Sequence, residues 1–316
     1  MRRVVGVVGA LLALMLVAAP RAVADTVAFT WTDARIVAPV GLATDVDHSM
    51  YWTANAAAAK TTNVFAVNGQ GKVLAALSYQ RATPGPLAVA YDANRIFVLD
   101  KGTAATALRV SYLTLSRVIV DGSVGYKSWD FTLPEAGQTA AALIVAPNTQ
   151  LYVVAQSGRV YKAPATLATS GANKLTKVSD GTGPVTSGYY DTRQSRVVLR
   201  SATSVLVVDP ATFATTTTVA APAQAGGRGV APSLDGESYL LTAGGAGSAV
   251  LAVSPATPSP TPSPSTEASS STPAASTSAV AVSDTGAKAS TTGMLVAFGA
   301  SAVLALVAAG VALVRR

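Results

Sequence analysis

Groups able to do chemistry are scarce in this chain. It has one histidine, no cysteine and three glutamates, Glu135, Glu237 and Glu267, each far from the others. Without cysteine there are no disulfides and no thiolate metal sites. The histidine closes the run Asp45-Val46-Asp47-His48. Two carboxylates and an imidazole at that spacing could ligate a metal, or supply the base of a Ser-His-Asp arrangement. The run falls where one strand turns into the next, so it reads as a solvated turn, and no catalytic, metal or cofactor residue is assigned. Gly226-Gly227-Arg228-Gly229 and Gly244-Gly245-Ala246-Gly247 are rich in glycine, but neither is followed by a helical pattern. They read as loops and not as phosphate cradles. Trp31, Trp52 and Trp129 fall in strand-like runs and read as packing residues.

One constellation remains. Asn55, Asp100, Gln156 and Arg200 each close the second strand of a repeated unit, with Ala243 in the fifth. Polar strand ends are common, yet four of them around one channel mouth would form a ligand-binding ring. Asn55 and Gln156 can donate and accept, Asp100 accepts, and Arg200 can clamp a carboxylate or phosphate with two prongs. A small anionic or polyhydroxylated ligand suits that set.

The elements that must carry these residues repeat along residues 25–254. Short β-branched or aromatic runs alternate with Gly, Pro, Asn and Asp, a strand-and-turn pattern. Gly41–Asp47 followed by Met50–Thr53 recurs as Pro86–Asp92 with Arg95–Val98, and as Ala142–Asn148 with Leu151–Val154. It recurs again as Val185–Asp191 with Arg196–Leu199, and as Gly229–Asp235 with Tyr239–Leu241. The aligned turn residues Asp47, Asp92, Asn148, Asp191 and Asp235 are 45, 56, 43 and 44 residues apart. A third strand follows each pair. The first four units add a fourth, at 73–77, 129–133, 175–178 and 215–219. Four strands at this period is a propeller blade. The fifth unit runs into a Pro-rich segment before a fourth strand can form, whereas Val27–Trp31 has no unit of its own. Placing Val27–Trp31 on the last blade closes the ring and covers an otherwise open edge. The expected fold is an all-β, five-bladed β-propeller closed by its N-terminal strand.

The flanking segments read as addresses. Residues 1–24 hold a charged start, an apolar stretch and Ala22-Val23-Ala24, the pattern of a cleaved signal peptide. Residues 255–293 are rich in Pro, Ser and Thr and poor in large apolar side chains, which predicts a disordered stalk open to O-glycosylation. Met294–Val314 has no charge or proline. As a helix it would span about 31 Å, enough to cross a bilayer, with Arg315-Arg316 as a cytoplasmic tail. The expectation is a single-pass cell-membrane protein with its propeller outside. Asp284-Thr285-Gly286 before the apolar segment resembles an LPxTG-type wall-sorting signal, with Val282-Ser283 in place of Leu-Pro. Sorting to the cell wall is the alternative. The formal charge is +7 from 23 basic and 16 acidic residues. Five of the basic residues, Arg2, Arg3, Arg21, Arg315 and Arg316, belong to the addresses. The remainder is almost balanced and does not favour a nucleic-acid partner.

Phe29–Lys72, with Asp33-Ala34-Arg35-Ile36, Gly41-Leu42-Ala43, Tyr51-Trp52-Thr53 and Val64-Phe65-Ala66-Val67, resembles secreted bacterial propellers of the YncE-like and esterase-like-phytase kind. Ala38-Pro39-Val40 and Ala54-Asn55-Ala56 stand where the esterase-like members carry Glu-Ser-Ser and Asn-Asp. The resemblance therefore implies the propeller shape without an activity. Three function classes follow: a surface module binding a protein or a small polar ligand, a hydrolase or lactonase-like enzyme at the channel mouth, and a structural envelope component.

Overall fold

A computed structural model describes residues 26–56, 60–80 and 85–255 of the chain. The expected signal peptide, the stalk past residue 255, the membrane helix and the tail lie outside the described residues. Among the described residues no helix is long and apolar enough to cross a membrane.

The strands form five sheets. After β1 (Thr26–Thr30), the first blade holds β2 (Pro39–Asp45), β3 (Met50–Asn55), β4 (Thr61–Val67) and β5 (Val73–Gln80). The second holds β6 (Pro86–Asp92), β7 (Arg95–Lys101), β8 (Ala107–Thr114) and, past the short β9 (Gly122–Ser123), β10 (Lys127–Thr132). The third holds β11 (Ala140–Ala146), β12 (Gln150–Ala155), β13 (Val160–Lys162) and, past β14 (Ala172–Lys174), β15 (Thr176–Ser179). The fourth is β16 (Ser187–Asp191), β17 (Arg196–Arg200), β18 (Ser204–Val208) and β19 (Thr215–Ala220). The fifth is β20 (Gly229–Pro232), β21 (Tyr239–Thr242) and β22 (Ala249–Val253), completed by β1, which pairs antiparallel with β22. Each inner strand packs beside the next, and β20 beside β2, so the ring closes as the repeat predicts.

Near-continuous apolar runs in strands such as β3, β7 and β11 let each blade bury both faces against its neighbours. The core is accordingly five wedges between blades instead of one central mass. Trp52 is buried between blades 1 and 2 and Trp31 between blades 5 and 1, while Trp129 packs on the wedge between blades 2 and 3. The closing strand is held by Phe29, whose ring meets Trp31 at 5.3 Å and Tyr51 at 5.6 Å. Thr32 Oγ1 donates to Gly71 O at 3.1 Å. Gly71 has φ +81°, and a Cβ there would collide with Thr30 O, so glycine is what lets the first blade press on the closing strand.

The long second spacing comes from residues 115–126, which reach back to the first blade. There β9 lies parallel to β5, and Asp121 Oδ1 accepts the Ala76 N–H at 2.6 Å. In the next blade β14 covers β10 in the same way. All inner strands run from a loop mouth, where second strands end, to a turn mouth. Thr26 pairs with Ala252, so both ends of the described propeller leave blade 5 on the turn side.

Turn length shifts three of the five aligned turn residues. By register, Asp45, Asp92 and Asp191 are the equivalent last residues of inner strands, opposite Met50, Arg95 and Arg196. The alignment of Asp47, Asn148 and Asp235 with Asp92 and Asp191 is therefore corrected to Asp45, Ala146 and Pro232. Two residues separate β6 from β7, Ala93 and Asn94, both at positive φ, as a tight primed turn requires. Four residues separate β2 from β3.

Candidate functional site

At the loop mouth a cavity of about 540 Å³ lies over blades 3 to 5, with Leu87 of blade 2 at its side. Two β-bulges shape it. The register slips between Pro86 and Ala88 and again between Ala140 and Ala142. The extra residues, Leu87 and Ala141, both line the cavity, an instance of bulges re-aiming side chains at a rim. Gln156, Thr186, Arg200, Ser201, Gln224 and Arg228 supply its polar side chains, and no acidic residue lines it.

Of the four strand-end residues, the structure brings Gln156 and Arg200 to this cavity and not Asn55 or Asp100. Gln156 is exposed, on a backbone fixed by Gln156 N–H to Thr139 O at 2.7 Å and Val185 N–H to Gln156 O at 3.0 Å. Asn55 pins the strand entry, accepting from Val37 and Ala38 N–H at 3.1 and 3.2 Å and donating to Arg35 O at 2.7 Å. Asp100 is fully buried, in register with Pro86 on one side and Arg109 on the other. Its negative charge helps hold the Arg109 pKa up, behind the larger effect of Arg109's forked bonds to Asp130 at 2.6 and 3.0 Å.

Arg200 is only 1% exposed. Nη1 donates to Gly229 O at 2.9 Å and to Thr242 O at 2.6 Å, and Nη2 to Gln224 Oε1 at 2.7 Å. The side chain thus ties β17 to β20 and β21 across the blade 4–5 boundary. Burial pushes its pKa down to about 10, which leaves it charged at neutral pH. Among the described residues no carboxylate forms an ion pair with it. Gln224, Arg228 and the Gly226–Gly227 backbone were invisible to a reading of strand ends, since they precede an inner strand. The signal that could have found them is Gly226-Gly227-Arg228 abutting the start of the fifth unit.

The turn mouth is a different place. A pocket of about 230 Å³ there is lined by residues from all five inner strands and by Asp47, Asp92, Asp191 and Arg193. Asp191 Oδ1 accepts the N–H groups of Arg193 and Gln194 at 3.1 and 3.3 Å, and Oδ2 takes Arg196 Nε at 3.2 Å. Burial raises the Asp92 pKa, against the charge of Arg95. The Tyr91 hydroxyl donates to Asp47 at 3.0 Å, and its pKa is raised first by burial, then by the charges of Asp45 and Asp47.

The turn around His48 is built, not merely solvated. Asp45 is fully buried: its Oδ1 accepts the His48 N–H at 3.0 Å, and its Oδ2 accepts Trp52 Nε1 at 3.0 Å and lies 2.8 Å from His48 Nδ1. Asp45 holds the imidazole and Asp47 takes the Tyr91 hydroxyl, and among the described residues no group of three such side chains gathers to hold a metal.

No family model matches the chain, and no curated protein matches it. Solved structures similar to it include a chain of a nidogen–laminin complex, at 13% identity and TM-score 0.42 over 66% of this chain and 73% of that one. A gluconolactonase from Xanthomonas campestris aligns at 12% identity and TM-score 0.41, over 70% and 87% of the two chains. A catalytically inactive virginiamycin B lyase from Staphylococcus aureus, crystallised with quinupristin, aligns at 12% identity and TM-score 0.39, over 69% and 66%. Likeness at this level carries no activity over to this chain.

Proposed function

We propose that the protein is a membrane-anchored, extracytoplasmic binding module that takes a small polar ligand in the loop-mouth cavity. The observation that carries this reading is the cavity itself. It has apolar walls from bulge residues, a few converging polar groups and rigid strands behind them, which is how small-molecule sites are built. The anchor is read from the apolar segment at 294–314 and a signal peptide at the other end.

A thermal-shift screen of the purified chain against small polar metabolites tests the binding reading. A hit should raise Tm, by an amount set by ligand concentration over Kd. Gln156→Trp, which fills the cavity mouth, should abolish the shift, whereas Thr192→Trp at the turn mouth should leave it. A screen in which every hit survives Gln156→Trp places binding elsewhere and sinks the proposal.

A further inference from the structure

The cavity's lining carries two guanidinium groups, Arg200 and Arg228, and no acid. They sit differently. Arg228 is exposed at the rim, whereas Arg200 is buried with three acceptors, Gly229 O, Thr242 O and Gln224 Oε1, all of them neutral. Burying a cation without a partner of opposite charge is costly. The fold uses the guanidinium's several N–H donors, more than the two that a neutral amide offers, but among the described residues no carboxylate balances its charge.

That charge borders the cavity beside a glycine pair. A Cβ at Gly227 would collide with Arg200 Nη2, and Gly226 sits at φ +61° beside Gly244. Gly226 and Gly227 line the cavity together with Arg200, so neither puts a side chain in front of the guanidinium. A charge so close acts on whatever occupies the cavity.

Resting on the binding site proposed above, we infer that its ligand is an anion, a carboxylate or a phosphate. Arg228 is the direct partner at the rim. Arg200 is a buried positioning charge beside Gly226 and Gly227, and Gln156 and Thr186 add neutral hydrogen bonds. Carboxylate and phosphate present the same acceptor oxygens to a guanidinium.

Calorimetry on the full chain in detergent tests this, with succinate, inorganic phosphate and neutral trehalose as probes. At least one anion should bind, and which one does separates the two sources. Binding should weaken about tenfold or more with Arg228→Ala, the size of one charge-assisted hydrogen bond. Arg200→Gln should weaken it and also flatten its salt dependence, a change that a purely structural role would not produce. Arg200→Lys should restore most of both, and Arg117→Ala, on an exposed segment of blade 2, should change neither. If Arg200→Gln does not fold, Arg228→Glu carries the test, because charge reversal at the rim must abolish anion binding. Trehalose binding without either anion overturns the anion assignment and leaves the cavity reading standing. Absence of binding by all three probes overturns both. Unchanged affinity and salt dependence in folded Arg200→Gln removes Arg200 from the site.

Discussion

The two mouths of the channel are opposite ends of the same five inner strands, yet they treat charge in opposite ways. At the turn mouth the acids are spent on the backbone: Asp191 takes two turn N–H groups and Arg196, and Asp235 Oδ1 takes the Glu237 N–H at 2.9 Å. Such short side chains close turns because they mimic a backbone acceptor. At the loop mouth bulges shape a cavity whose charged lining groups are Arg200 and Arg228, with no acid among the lining. A charge with a local backbone partner is explained by the fold. A buried charge facing only neutral acceptors asks for something the fold does not contain, and that difference singles out the loop mouth.

Both mouths depend on closure, so the largest effect should come from breaking it. Deleting residues 26–32 removes Phe29 and Trp31 from their wedge and leaves β22 as an open edge. The expected loss is about 5 kcal/mol or more, with aggregation through the bared edge, read by size-exclusion chromatography and urea unfolding. A monomeric deletion variant of unchanged stability would show that β1 decorates the ring and does not close it.

Next in size, Arg200→Ala should cost about 3 kcal/mol, since it orphans the Gly229 and Thr242 carbonyls and Gln224 and leaves a void between blades. At the other mouth Asp45→Ala should cost about 2–3 kcal/mol by stripping Trp52 Nε1 and the His48 turn of their acceptor. Asp47→Ala, which removes one exposed bond to Tyr91, should cost under about 1 kcal/mol. Chemical denaturation followed by tryptophan fluorescence ranks the three. Equal costs for Asp45 and Asp47 would mean the buried carboxylate is not the anchor of its turn.

These rankings show how far the sequence could be read. The five units, the closing strand and the fourth strands were legible because alternating apolar runs and turn residues repeat at one period. The closing strand is Thr26–Thr30 where the pattern predicts Val27–Trp31. The aspartate slip had a physical cause: turns of two and four residues defeat an alignment counted back from the second strand. Strand-end logic found Gln156 and Arg200, but it could not see that Asn55 would turn onto Val37 and Ala38, or that Asp100 would be buried beside Arg109's strand. Those outcomes depend on neighbouring blades, about which a single repeat says nothing. The same blindness hid Gln224, whose meaning comes from Arg200 reaching across a blade boundary, and Arg228, which lines the cavity from the loop before β20.

The smallest effects sharpen the account of the turn mouth, through two of its aspartates with opposite titration. Burial raises the Asp92 pKa, so its charged form is disfavoured in the fold. That penalty is absent below the unfolded carboxylate pKa, grows as pH rises, and is complete above the folded pKa. Asp92→Asn should therefore match the parent in acid and be more stable near neutrality, by less than about 1 kcal/mol. Asp235 is the reverse: the Ser233 hydroxyl first, then the Glu237 N–H, lower its pKa. Its stabilisation is present above the unfolded carboxylate pKa and is lost as pH falls through the folded value. Asp235→Asn should be less stable than the parent near neutrality and converge with it in acid. Unfolding midpoints measured across the carboxylate range should then diverge in opposite directions from a common acid limit. Two curves that shift the same way would mean that net charge at this mouth, and not each carboxylate's own partners, sets the pH dependence.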